Sequence, residues 1–230
     1  RGTITITDLG STNKTKLGSH VLSPNVPVET SLPVHSLLLG DIPFEIMEDV
    51  SISNVVSTYT NVNGRRENQD TYAAALFEAA DNTGILALVA DGVGGEGPNG
   101  RLASIGAGQT FLDLVATGNV TDAQLVQAVA YAHQKAREAA GNTTLTVLRA
   151  YMGRYTIVHV GDSRAYMLKA GSQALQLTRD HSKLAELRER GVEITPQIHA
   201  KYRSSIPRGL GHRNSEKARP DTYVGEYSAS

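Results

Sequence analysis

The chain has 230 residues, with 22 lysines and arginines against 23 aspartates and glutamates and a formal net charge of −1 at pH 7. That balance suits one large or two modest globular domains and implies no nucleic acid or other polyanion as partner. The absence of cysteine excludes disulfides, thiolate zinc sites and cysteine nucleophiles, while the longest apolar run, residues 85–90, is far short of the ~20 residues of a membrane span.

The N-terminus has no basic-then-apolar signal pattern, so a cytoplasmic setting with no membrane partner is expected. Residues 1–50 read as all-β. TITIT leads into the polar DLGSTNKT, and short apolar bursts separated by Pro24, Pro27, Pro33 and Pro43 end in IPFEIM. Short strands with turn signals at that spacing suggest part of a sandwich. EDVSIS, residues 48–53, is the junction, and a second domain is expected over 54–230. Its apolar runs predict strands at 72–77, 85–90, 145–151, 155–160, 164–168 and 174–178, and helices at 101–117, 121–140 and 182–190. In the second helix Thr121 and Gln124 fit a capping box, Leu125, Val129, Ala132 and Ala136 share one face, and Gly141 supplies the stop. Two consecutive helices between strand groups indicate an α+β fold rather than alternating βαβ units. The last stretch, TYVGEYSAS, shows no closing element, and the chain reads as a segment of something longer.

Residues 86–97, LALVADGVGGEG, put an aspartate at the end of an apolar strand and then four glycines in six positions. Glycine at that density brings bare main chain close to something. GVGGEG fits G-x-G-x-x-G, but a dinucleotide site also requires a second parallel strand tipped by an acidic residue roughly 20 positions on. Asp113 stands near that distance inside a helical pattern, and another helix follows it. A hard divalent ion is the other reading: Asp91 offers a carboxylate on a rigid support, and Gly92 can present its carbonyl. Taken alone, D-G is also an ordinary turn. The same holds for Arg65 and Arg66 in NGRRENQD (63–70), which can be a solvated charge pair, and for G-D-S in VGDSRAY (160–166), which is common hairpin chemistry. The seven histidines form no i, i+4 pair, so histidine-based zinc hydrolysis is not indicated.

Together, NGRRENQD, LVADGVGG, VGDSRAY and LTRDHS (177–182), in this order and spacing, resemble the type 2C metal-dependent protein serine/threonine phosphatases, the bacterial ones more closely. The resemblance covers about 54–225 and implies an antiparallel β-sandwich flanked by helices with a two-metal site at one end. By position, Asp91 would bridge two Mn2+ or Mg2+ ions, Gly92 would add its carbonyl, and Asp70 would bind a metal directly or through its water shell. Asp162 would help hold a third, looser ion. Arg65 matches the phosphate-binding arginine, and Asp180 and His181 match a motif read as structural. The implied reaction is hydrolysis of phosphoserine and phosphothreonine in proteins by a metal-bridging hydroxide, with phosphorylated proteins and an associated kinase as partners.

Val93 stands where relatives carry histidine or methionine. The family's two further aspartates, from S-D-G and D-N motifs, lie downstream of anything present, so the 230-residue segment is expected to bind metal weakly and hydrolyse little, and the complete protein to be active. The competing reading is an inactive phosphatase-like scaffold or phosphopeptide adaptor. In front, ITDLGSTNKTKLG with the later LLLG and FEI resembles the second half of a forkhead-associated domain, a phosphothreonine-recognising sandwich. That resemblance puts Thr12 and Asn13 on the peptide-binding loop, with Lys14 where glycine is usual.

Overall fold

The computed structural model describes residues 3–7, 15–17, 19–23, 26–31, 34–39, 42–46, 60, 67–79, 82–93, 98–118, 120–168 and 172–227. The chain divides into two compact units, Arg1–Val55 and Val56–Ser230. Among the described residues no helix is long and apolar enough to cross a membrane.

Among its described residues the front unit forms strands and turns only, as its proline-punctuated apolar bursts predict. Strand β1 (Thr3–Thr7) pairs antiparallel with β4 (Pro27–Ser31). A four-stranded antiparallel sheet runs in the order β3 (His20–Val21), β2 (Thr15–Leu17), β5 (Val34–Leu39), β6 (Ile42–Ile46). Thr12 and Asn13 lie outside the described residues.

The larger unit is built on a six-stranded antiparallel sheet. β7 (Asp70–Ala79) and β8 (Asn82–Val93) form its longest pair, joined to β10 (Leu145–Tyr151), β11 (Arg154–Val160) and β14 (Asp221–Glu226), with short β9 (Asn142–Thr143) beside the end of β8. Alternation along β7 and β8 gives the sheet two faces. One carries Phe77, Leu86, Leu88 and Ala90, all buried, and packs against α1 (Asn99–Ala116), which in turn packs on α2 (Asp122–Glu138). Phe111, Leu125, Leu145 and Val147 are fully buried in that layer, and each such side chain contributes about 1.5–3 kcal/mol relative to exposure. The β10–β11 hairpin turns on Met152 and Gly153, with φ of 48° and 73°, the paired positive angles of a type I′ turn.

This is the α+β, antiparallel-sheet-and-helix class expected. The capping box of α2 is present, with Gln124 N–H donating to Thr121 Oγ1 and Thr121 N–H donating to Gln124 Oε1. Its stop differs from expectation. Ala140, not Gly141, takes the left-handed position with φ 52°. The Ala140 N–H donates to the Arg137 carbonyl and the Gly141 N–H to that of Ala136, which is a Schellman motif. Gly141 is required for a different reason: a Cβ there would collide with the Asn99 carbonyl at the start of α1.

The expectation that TYVGEYSAS carries no structural element is corrected, since its first residues belong to β14, which pairs with β11. Its two apolar residues, Tyr223 and Val224, are adjacent rather than alternating, and Gly225 follows them, so the strand signal is weak. The remaining elements are β12 (Tyr166–Met167), β13 (Leu175–Gln176), α3 (Lys183–Glu189), a further helix α4 (Pro196–Tyr202) and a 3-10 turn at Ser215–Ala218.

Candidate active site

Asp70 is the first residue of β7, and the antiparallel register places it directly opposite Asp91 near the end of β8. Directly opposed residues project from the same face with Cβ atoms about 4.5–5.5 Å apart. That face is the one turned away from α1. Both aspartates line a cleft of about 230 Å³ with Thr60, Tyr72, Val89 and Ser163 among its walls. Two carboxylates in such register repel each other unless something positive lies between them.

The backbone of Asp91 is tied down by two threonines that the sequence reading passed over. Its N–H donates to Thr144 Oγ1 at 2.9 Å, and its carbonyl accepts from Thr143 Oγ1 at 3.0 Å and from the Thr144 N–H at 2.9 Å. Thr143 and Thr144 are 1% and 0% exposed, and buried hydroxyls of this kind are retained where they have partners. Thr144 Oγ1 also shares a hydrogen bond with Ser163 Oγ at 2.8 Å. The 160–166 turn is thereby joined to Asp91 through one side chain.

Gly94, Gly95 and Gly97 lie outside the described residues, while Gly92 approaches the protein's own main chain. Its N–H donates to the Gln69 carbonyl at 3.1 Å, and an added Cβ would strike the Gly100 carbonyl in the first turn of α1 and the carbonyl of Gln69. The same Gln69 carbonyl accepts from Ser104 Oγ at 2.6 Å, and Ser104 also bonds Thr71 Oγ1 at 2.9 Å. Ser104, wholly buried, thus pegs α1 to the strand that carries Asp70. With the strands flanking β8 antiparallel, the parallel βαβ arrangement of a dinucleotide site is absent from the described residues.

Asp162 sits half-buried in the turn after β11. Its neighbour Ser163 lines the cleft, while Asp162 is not among the cleft-lining residues. Burial pushes the Asp162 carboxyl above its usual range, Asp180 adds to the rise, and its own backbone N–H and Arg164 oppose it. Arg164 grips Asp180 with two hydrogen bonds, of 2.7 and 2.5 Å, a forked pairing suited to guanidinium and carboxylate. Asp180 therefore serves Arg164, and His181 serves the turn, as described below. Arg65 lies outside the described residues.

No protein-family model matches this sequence, and no curated protein matches it. Solved structures do. The serine/threonine phosphatase of S. agalactiae is 26% identical with a TM-score of 0.58, over 71% of this chain and 70% of that one. The catalytic domain of the serine/threonine protein phosphatase PstP, solved in complex with two manganese ions, is 26% identical with a TM-score of 0.52, over 70% of this chain and 74% of its own. Mycobacterium tuberculosis PstP/Ppp is 27% identical with a TM-score of 0.50, over the same shares of 70% and 74%. A further bacterial serine phosphatase, at 24% identity, matches with a TM-score of 0.58 over 70% of this chain and 68% of that one. A span of that size cannot come from the 55-residue front unit alone, and the larger unit has the fold of the bacterial serine/threonine phosphatases.

Proposed function

We propose that the larger unit is a metal-dependent phosphatase acting on phosphoserine and phosphothreonine in proteins, and that the front unit is a forkhead-associated module that delivers it to phosphorylated targets. The observation that carries this reading is the Asp70–Asp91 pair, cross-strand partners opening on one cleft, in a fold whose neighbours are serine/threonine phosphatases, one of them crystallised with two manganese ions.

The donor set fits a hard cation. Mg2+ and Mn2+ take oxygen ligands, keep several waters and need only one or two carboxylates. The carboxylate donors in this reading are Asp70 and Asp91, with the Gly92 carbonyl beside them; Asp162 does not gather with the pair and would serve only a separate, looser ion. When bound, the cations supply charge neutralisation and a hydroxide nucleophile for in-line attack on the phosphoester. Asp70 and Asp91 hold their oxygens on the rigid ends of two paired strands. Thr143 and Thr144 keep Asp91 from shifting. Arg65, five residues ahead of Asp70, would bind the phosphoryl oxygens in this reading, a role suited to guanidinium, whose two-pronged pairing lysine does not reproduce. Tethering to a phosphopeptide module raises the effective concentration of neighbouring phosphosites at the cleft, and a kinase is the natural source of both.

The test is phosphate release from a phosphothreonine peptide by the full-length protein with Mn2+, for wild type and Asp91→Ala, with chelator as a control. Turnover should need the metal and vanish in the variant; equal turnover would falsify the site assignment. Thermal unfolding adds an arm that does not depend on turnover. Mn2+ should raise the melting temperature of the wild type but not of Asp91→Asn, and chelator should remove the difference.

A further inference from the structure

We propose that His181 is a positioning residue: its main chain and its ring hold Gly161 from both sides, and so set the Asp162–Ser163 turn against Asp91. The catalytic consequence rests on the phosphatase reading above; the structural clamp does not.

Gly161 has a φ of 116°, a conformation open to glycine and strained for other residues. It is pressed so closely on Thr144 that an added Cβ would stand 2.6 Å from the Thr144 Cβ and Cγ2. A backbone kept in this state needs external bonds, and both come from one residue. The His181 N–H donates to the Gly161 carbonyl at 2.7 Å, and the Gly161 N–H donates to His181 Nδ1 at 3.0 Å. The peptide is gripped as a closed pair.

The ring is itself held in the state this requires. Because Nδ1 accepts, Nε2 carries the proton and donates to Asp221 Oδ2 at 2.9 Å. The other oxygen of Asp221 accepts from Arg208 at 2.8 Å, so the carboxylate is fixed between two donors. A histidine's tautomer is set by the bond its other nitrogen makes. His159 packs alongside, ring centroids 4.8 Å apart, with Nε2 on the Arg179 carbonyl at 3.1 Å and Nδ1 on Thr146 Oγ1 at 2.9 Å. Burial holds both imidazoles below their ordinary pKa, so both are neutral near pH 7.

From Gly161 the constraint runs to the cleft by hydrogen bonds already described: Ser163 Oγ to Thr144 Oγ1, and Thr144 Oγ1 to the Asp91 N–H. Ser163 lines the cleft and His181, 5% exposed, does not. His181 therefore acts through the turn rather than on substrate.

The two nitrogens can be separated. In His181→Asn the amide oxygen stands near where Nδ1 was and keeps the acceptor for Gly161; in His181→Gln the longer amide reaches Asp221 and leaves the Gly161 N–H without its acceptor. In the full-length protein, kcat for Asn should stay close to wild type, while Gln and Ala should lose about 10- to 100-fold in kcat with KM little changed. Amide hydrogen exchange at residues 161–163, read without reference to turnover, should speed up in Gln and Ala and stay slow in Asn. Equal kcat in the Asn and Gln variants, or slow exchange of Gly161 in Gln, overturns the proposal. A wild-type protein that releases no phosphate overturns the function instead, and the exchange comparison still decides the clamp.

Discussion

Thr144→Val isolates the contribution of one hydroxyl. The side chain keeps its shape and β-branching but loses the acceptor for the Asp91 N–H at 2.9 Å and the bond to Ser163 at 2.8 Å. Leaving a buried N–H without a partner costs about 1–3 kcal/mol, and losing a neutral hydroxyl–hydroxyl bond about 1 more. The methyl that replaces the oxygen recovers about 0.8 kcal/mol through burial, so a net loss of about 1–3 kcal/mol is expected. For a unit of this size that is a fall in Tm of about 2–12 °C. Urea unfolding and thermal melts measure it directly, with Thr144→Ser as the control that keeps the oxygen. Phosphate release should fall further than stability alone explains, because the strand end that presents Asp91 is freed. A Val variant within about 0.5 kcal/mol of wild type, the scatter of neutral surface changes, would refute the reasoning. So would a Ser variant damaged as severely as Val.

Ala140→Gly should stabilise the protein by about 0.5–1 kcal/mol, since Ala140 holds the left-handed end of α2 at φ 52°, where glycine avoids a steric cost; a melt showing no gain would contradict the Schellman assignment. Stability should also fall on acidification between pH 6.5 and 4. His159 drops from its ordinary 6.5 to about 4 through burial first and the neighbouring His181 second, against the Arg179 carbonyl, Asp221 and the Gly161 backbone, which pull it up. The unfolded chain therefore binds the proton first, and the stabilisation present above 6.5 is lost as pH falls towards 4, on the order of 3 kcal/mol. His159→Gln should flatten that limb of a pH series of urea titrations; an unchanged slope would show that other groups carry it.

The elements whose signal is contained in a short window were readable in advance. The middles of β7 and β8 follow from the apolar runs at 72–77 and 85–90, and α2 from its capping box and its one apolar face. What depends on packing between distant segments was not. Thr143, Thr144 and Ser104 look like ordinary small polar residues; only the fold shows that their hydroxyls hold Asp91 and α1 in place. A polar N-T-T entering an apolar strand was the available signal, because hydroxyls carried into a core need partners. Gly141 was noticed for the right position and the wrong reason, its role being close approach to Asn99 rather than a positive φ. Asp91 and Asp162 each read as turn residues in isolation. Four motifs taken together suggested their role, and the strand register brings Asp91 opposite Asp70.

The Asp221–His181 bond also bears on how the molecule is made. Asp70 and Asp91 face each other within one hairpin, a contact that can form as soon as that hairpin leaves the ribosome. The bond that fixes the His181 tautomer has to wait for a strand synthesised much later, because β14 both pairs with β11 and supplies Asp221. Closing that long loop is slow relative to local pairing. A nascent chain would therefore display its first two carboxylates before the imidazole that steadies the neighbouring turn has been locked into one tautomer.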